Sequence, residues 1–192
     1  DCFGLRLLNR RGCFPKFDKF IEQTKDVWTH LVDIRKSFEP RAEELAKKYA
    51  LAPYTMFIGS GALWGETILF SMCILEEMQW KRTRYITSAD FFHGTLELVE
   101  PGVPVFLFMG EDENRKLDER VRAFLNRGVT GDTDINIIDT AEFAIPGLDD
   151  EFRVIVSPWI LSSLITDRLA AYYETVTKHN LNYRRYYHQF DY

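Results

Sequence analysis

At 192 residues the chain is long enough for one domain with a full core. Its composition, 46% apolar and 28% charged, excludes an extended disordered chain, which would lack the apolar side chains to offset ordering entropy. A net charge of −5 gives no reason to expect nucleic-acid binding, which usually wants a basic face, and no stretch approaches the roughly 18–20 apolar residues of a membrane span.

The chain opens at Asp1 without a signal-peptide pattern and is read as beginning part-way through a longer protein. From Pro15 to Phe38, Phe17, Phe20, Ile21, Thr24, Val27, Trp28, Leu31 and Ile34 recur at helical spacing, which predicts one amphipathic helix. Pro40 is expected to stop it and to start a second helix, Arg41 to Ala50. Tyr54 to Ile58 reads as the first strand; a glycine-rich turn and an apolar helix, about Leu63 to Trp80, follow. Strands are predicted at Arg84 to Thr87, at Val103 to Met109 in the middle of the sheet, at Ile135 to Asp139 and at Arg153 to Val156. Between and after them fall a one-sided charged helix, Glu113 to Asn126, and a closing helix, Pro158 to Thr177.

Short apolar strands alternating with helices imply a doubly wound α/β domain with a five-stranded parallel sheet covered on both faces. The expected organisation is a helical arm (1–50), the α/β domain (51–179) and an aromatic-basic tail (180–192). Cys2, Cys13 and Cys73 are odd in number and lack metal-ligand spacing, and Cys73 reads as a small buried residue. A reducing cytoplasm suits them, and no metal or organic cofactor is expected. The tail, with Tyr183, Arg184, Arg185, Tyr186, Tyr187, Phe190 and Tyr192, is too apolar to stand free in water. It predicts a homodimer or higher homo-oligomer in which the tail packs on another segment or subunit.

Three stretches carry candidate chemistry. In "GSGALWG" (Gly59 to Gly65), backbone N–H groups and Ser60 at a helix N-terminus make an anion site, or simply a tight strand-to-helix turn. The stretch is not a dinucleotide fingerprint, because its third glycine, Gly65, comes one position late. Glu76 and Glu77 are adjacent on a helix and point apart; one is expected at the edge of an apolar face of Phe70, Cys73, Ile74 and Met78. Partial desolvation there favours the proton-accepting role, while the alternative is two solvated surface acids. His93, in "DFFHG", sits on a rigid aromatic mount with a turn at Gly94, and suits proton transfer or a structural role. Lys81, Arg82 and Arg84 read as a solvated face.

The stretch "FIGSGALWGETILFSMCILEEMQW…SADFFHGTLELVEPGVPVFLF" resembles the second half of two-domain sugar isomerase (SIS) proteins, nearest to the fructosamine 6-phosphate deglycases. That resemblance implies a doubly wound parallel fold and an acid–base pair at Glu77 and His93. It also implies an Amadori substrate, an amino acid joined through nitrogen to C1 of fructose 6-phosphate, split to glucose 6-phosphate and the free amino acid. The candidate substrate-binding residues are Gly59, Ser60, Gly61, Ser88, Arg185 and Tyr192. Ala89-Asp90 replaces the family's usual Gly-Glu, and Thr95 its usual Pro. Ile74 stands where the glucosamine-forming relatives carry a Schiff-base Lys, which argues against that synthetic reaction. The Ser/Thr-rich phosphate loop of a first SIS domain is missing, so the chain reads as a C-terminal half. An aldose–ketose phosphate isomerase and a non-catalytic sugar-phosphate sensor are the alternatives.

Overall fold

The computed structural model describes residues 2–128 and 131–191. Its elements, in chain order, are α1 (Cys2–Arg10), α2 (Phe17–Thr24), α3 (Val27–Tyr49), β1 (Tyr54–Gly59) and α4 (Trp64–Ile68). They continue with β2 (Arg82–Ile86), α5 (Ser88–Phe91), β3 (Val105–Met109), α6 (Arg115–Leu125) and β4 (Ile135–Asp139). The last two are α7 (Asp150–Leu164) and α8 (Ala170–Thr177).

The four strands form one parallel sheet in the order β2-β1-β3-β4. Met56 of β1 stands beside Arg84 of β2 and Val105 of β3, which sets the register. Side-chain alternation then divides the core. Phe57, Phe106 and Phe108 face one way and stack, with ring centroids 5.2 and 6.0 Å from Phe57. Met56, Ile58, Val105 and Leu107 face the other way, onto Phe91 of α5 and Val121 and Leu125 of α6. The Phe57 face is covered by α3 and α7, through Phe38, Leu45, Val156 and Ile160. Helices thus cover both faces, and α3 belongs to the same buried cluster as β1 and β3.

The sheet has four strands rather than five. Arg153 to Val156 lies inside α7, not in a strand. Asp150 and Glu151 favour a helix start there through the positive end of the helix dipole. Phe152, Val156, Ile160, Leu161 and Leu164 then recur at helical spacing and are all buried. Burial of that stripe overrides the strand preference of Val-Ile-Val. Pro158, expected to begin the closing helix, is inside it; the carbonyl its missing N–H would have served, that of Val154, accepts the Ser157 hydroxyl at 3.3 Å. Asp150 to Thr177 forms one 28-residue rod, which by length and composition could cross a membrane. Half of its most apolar window is buried inside the protein, as in a core helix.

The N-terminal helices also break elsewhere than expected. Pro40 lies within α3, on the same exposed side as Lys36, where water is at hand for the carbonyl that a proline leaves unpaired. The interruption falls instead after Thr24, whose hydroxyl bonds back to the Phe20 carbonyl at 2.7 Å, a contact that bends helices. Cys73 is half-buried rather than buried.

Candidate functional site

Beyond Ile68, α4 continues as π-helical turns, Leu69–Met78. The Gln79 N–H donates to the Ile74 carbonyl at 3.0 Å and the Lys81 N–H to the Leu75 carbonyl at 2.8 Å, both further back than the usual fourth residue. Such widened turns are frequent at functional sites. On them Glu76 and Glu77 part ways. Glu76 accepts the Thr83 hydroxyl of β2 at 2.5 Å. Glu77 pairs with Arg184 of the tail, whose Nε is 2.9 Å from its carboxylate. A guanidinium, not an apolar wall, is therefore the partner of Glu77.

The tail is brought there by a reversal after α8, where Lys178 takes the left-handed conformation with φ 57°. Gln79, buried, receives the Thr177 hydroxyl at 2.7 Å and donates to the His179 carbonyl at 2.6 Å. Trp80, itself at φ 53°, meets the His179 ring edge-on at 4.3 Å, and the Arg185 guanidinium lies 4.3 Å over its indole. Between α4 and the tail lies a cavity of about 400 Å³, lined by Glu76, Glu77, Trp80, Lys81, Arg184, Arg185, Tyr186 and Tyr187. Lys81 is not on a solvated face: its ammonium donates to the Ala52 carbonyl at 2.7 Å, and burial lowers its pKa. Arg82 and Arg84 do remain exposed.

His93 lies elsewhere. It follows α5, beyond the carboxyl end of β2, is exposed, and does not line the Glu77 cavity. Glu77 precedes the amino end of the same strand, and five residues of strand span about 13 Å. Within one chain, Glu77 and His93 therefore stand at opposite ends of β2 and not in one cavity. The mount is as rigid as expected: Thr87 caps α5, Phe91 is fully buried, and Phe91 and Phe92 both meet the Phe124 ring edge-on. Gly94 makes the turn with φ 136°.

The glycine loop has its anion already. The Asp112 carboxylate accepts the Ala62 N–H at 2.5 Å, and a Cβ on Gly61 would stand 2.1 Å from its oxygen. A Cβ on Gly59 would meet the Thr67 hydroxyl at 2.2 Å. Ser60, buried, accepts the Ser88 N–H at 2.7 Å, and the Ser88 hydroxyl donates to Asp118 at 2.5 Å. Asp112 and Glu113 line the open space beside Gly61 and disfavour a phosphate there. Of the residues expected on the substrate, Ser60 and Ser88 hydrogen-bond within the frame, and Gly59 and Gly61 stand against Thr67 and Asp112. Arg185 does line the cavity, and Tyr192 lies outside the described residues.

No family model matches the chain. It is 28% identical over 174 residues to the fructosamine deglycase of Bacillus subtilis, covering 89% of this chain and 51% of that protein. It is 29% identical over 175 residues to the fructoselysine 6-phosphate deglycase of Escherichia coli, covering 90% and 47%. A solved Bacillus subtilis structure, described as a phosphosugar isomerase, superposes with a TM-score of 0.84 at 27% identity, covering 92% of this chain and 53% of that one. Over nine-tenths of its length, then, the chain is similar to about half of each of these deglycases. It spans about half the length of the curated relatives it matches.

The sequence alone did not single out Arg184, Trp80 and Lys81 as parts of the cavity. The available signal was compositional: a tail as aromatic and basic as "YRRYY" needs a seat, and "EEMQWK" offers acids and an indole in one short stretch. Nothing local said that the two would meet. The tail does pack on another segment of its own chain, and Tyr183, Tyr186, Tyr187 and Phe190 nonetheless stay exposed.

Proposed function

We propose that this chain supplies the proton-transfer carboxylate of a phosphorylated-fructosamine deglycase. The observation that carries the reading is Glu77, held by Arg184 in a cavity walled by Trp80 and Arg185, in a chain similar to fructosamine deglycases. In this reading Glu77 takes a proton from C1 of the open-chain ketosamine and returns it to C2, while the C2 oxygen gains a proton and the amine nitrogen releases one through water. The ketosamine becomes an aldose imine, and water cleaves that imine to glucose 6-phosphate and the free amino acid. Arg184 keeps the carboxylate aimed while the substrate is absent. His93 opens the sugar ring; because it sits beyond the far end of β2, it reaches a sugar at Glu77 only from a second copy of the chain. The cavity is large enough for the sugar-amine portion of such a substrate, and the phosphate falls to a part of the protein other than the glycine loop.

The full-length protein, given 6-phosphofructosamines, is expected to release amino acid and glucose 6-phosphate by mass spectrometry. Glu77→Gln removes the basic carboxylate and should lower turnover by about 10²–10⁴-fold, with Glu76→Gln costing little. Mixing Glu77→Gln with His93→Asn chains should restore about a quarter of wild-type turnover, because hybrid dimers regain one intact site. Sugar interconversion without amino-acid release would identify an isomerase instead. Binding without turnover would identify a sensor.

A further inference from the structure

The exposed His93 rides on a frame that converges on one buried carboxylate. Asp118, in the first turn of α6, is 1% exposed. One of its oxygens accepts the Ser88 hydroxyl at 2.5 Å, and the other faces the Gly110 N–H at 3.3 Å. Ser88 is also tied to Ser60 through its N–H, at 2.7 Å. The carboxyl ends of β1, β2 and β3 therefore meet at this acid. Ser88 is the first residue of α5, and the His93 N–H closes that turn on the Asp90 carbonyl at 2.9 Å.

A buried carboxylate with two hydrogen-bond donors, none of them a cation, costs free energy that an amide or apolar group would avoid. Its setting is uneven. Asp112, in the loop before α6, opposes its charge, while Arg115 of the same helix supports it but is committed to Asp139 of β4, 2.6 Å away. Burial pushes the Asp118 carboxyl up to about 6. No part of the proton transfer proposed above uses this acid.

We propose that Asp118 is the positioning residue of His93, holding the turn at Ser88 so that the histidine is presented at a fixed place on the sheet's carboxyl edge. The assignment of a proton-transfer role to His93 rests on the function proposed above; the positioning itself does not. When Asp118 takes up a proton it ceases to be a double acceptor, and the Ser88 hydroxyl must turn to accept or lose its partner. The surroundings of the Ser88 and Gly110 amides then change as pH falls through that ionisation.

Amide hydrogen exchange and backbone NMR on the full chain test this, using Asp118→Asn, Ser88→Ala and the wild type. Losing one hydrogen bond to a charged group should speed exchange at 88–94 by about 10- to 100-fold, with the amides of β3 unchanged. In the wild type, the Ser88 and Gly110 amide shifts should follow one inflection near pH 6 that is absent in Asp118→Asn. Exchange that rises equally in β3, or a wild type without that inflection, would overturn the positioning role, since a merely structural acid gives those results. If Asp118→Asn fails to fold, Ser88→Ala decides alone, because it leaves the carboxyl in place. Turnover is measured in parallel. Loosening at 88–94 with undiminished kcat would support the positioning and overturn the catalytic reading of His93.

Discussion

The guanidinium of Arg153 ties α7 to the loop that follows β3, and breaking that tie has a measurable cost. Arg153 sits in α7 and grips Glu111 with two nitrogens, the second bond being 2.8 Å, and both side chains are 13% exposed. The same guanidinium donates to the carbonyls of Thr140 at 3.0 Å and Phe143 at 3.1 Å. Replacing Arg153 by Met keeps the length and helix preference but leaves Glu111 largely shielded from water, with the Thr140 hydroxyl, at 2.8 Å, as a donor. Breaking a buried ion pair from one side costs about 3–5 kcal/mol, because the charge left behind is uncompensated. Against a typical domain stability of ~5–15 kcal/mol that is a large fraction. At a urea m-value of about 2–3 kcal/mol per molar, the unfolding midpoint should fall by ~1–2 M. The double change Glu111→Leu with Arg153→Met removes both charges and should recover most of the loss. A single-variant cost below about 1 kcal/mol, or a double variant no better than the single one, would refute the claim that this pair ties α7 to the carboxyl end of β3.

Two further outcomes are expected. Asp118 has a folded pKa of about 6, raised from 3.8 by burial, so its contribution to stability is full below ~4 and lost as pH rises through 6. Melting curves of wild type and Asp118→Asn should therefore diverge by up to about 3 kcal/mol between pH 4 and 7, with the wild type relatively better at the acid end; the opposite sign would contradict the burial argument. Gly61→Ala, at φ 55° and with Asp112 2.1 Å from the new Cβ, should destabilise by ~1–3 kcal/mol in urea unfolding. Gly65→Ala, with nothing within 4 Å and a helical backbone, should gain about 0.5–1 kcal/mol in the same measurement.

Much of the fold was legible because its signals are local. An apolar run such as "VFLFM" has one use in an α/β chain, a central strand buried on both faces, and β3 is that strand. The helix after the glycines, the strand at Ile135 to Asp139, the rigid mount of His93 and the need of the tail for a seat could all be read from periodicity and composition. Glu77, which lines the cavity beside Glu76, was singled out through family resemblance and not through any pattern of its own.

Tertiary structure decided what depends on partners distant in the chain. "RVIV" prefers a strand locally; the buried stripe from Phe152 to Leu164 and the pairing of Arg153 with Glu111 made it a helix. The glycine loop offers N–H groups to any anion, and only folding brought Asp112, 50 residues away, to take one of them. Arg184 and Glu77 meet because α8 ends in a left-handed residue that turns the tail back onto α4. The separation of Glu77 from His93 likewise appears only once β2 is laid between them. Hydrophobic periodicity is written within a few residues of each position, whereas a charge finds its counter-charge by topology, and no local pattern encodes that distance.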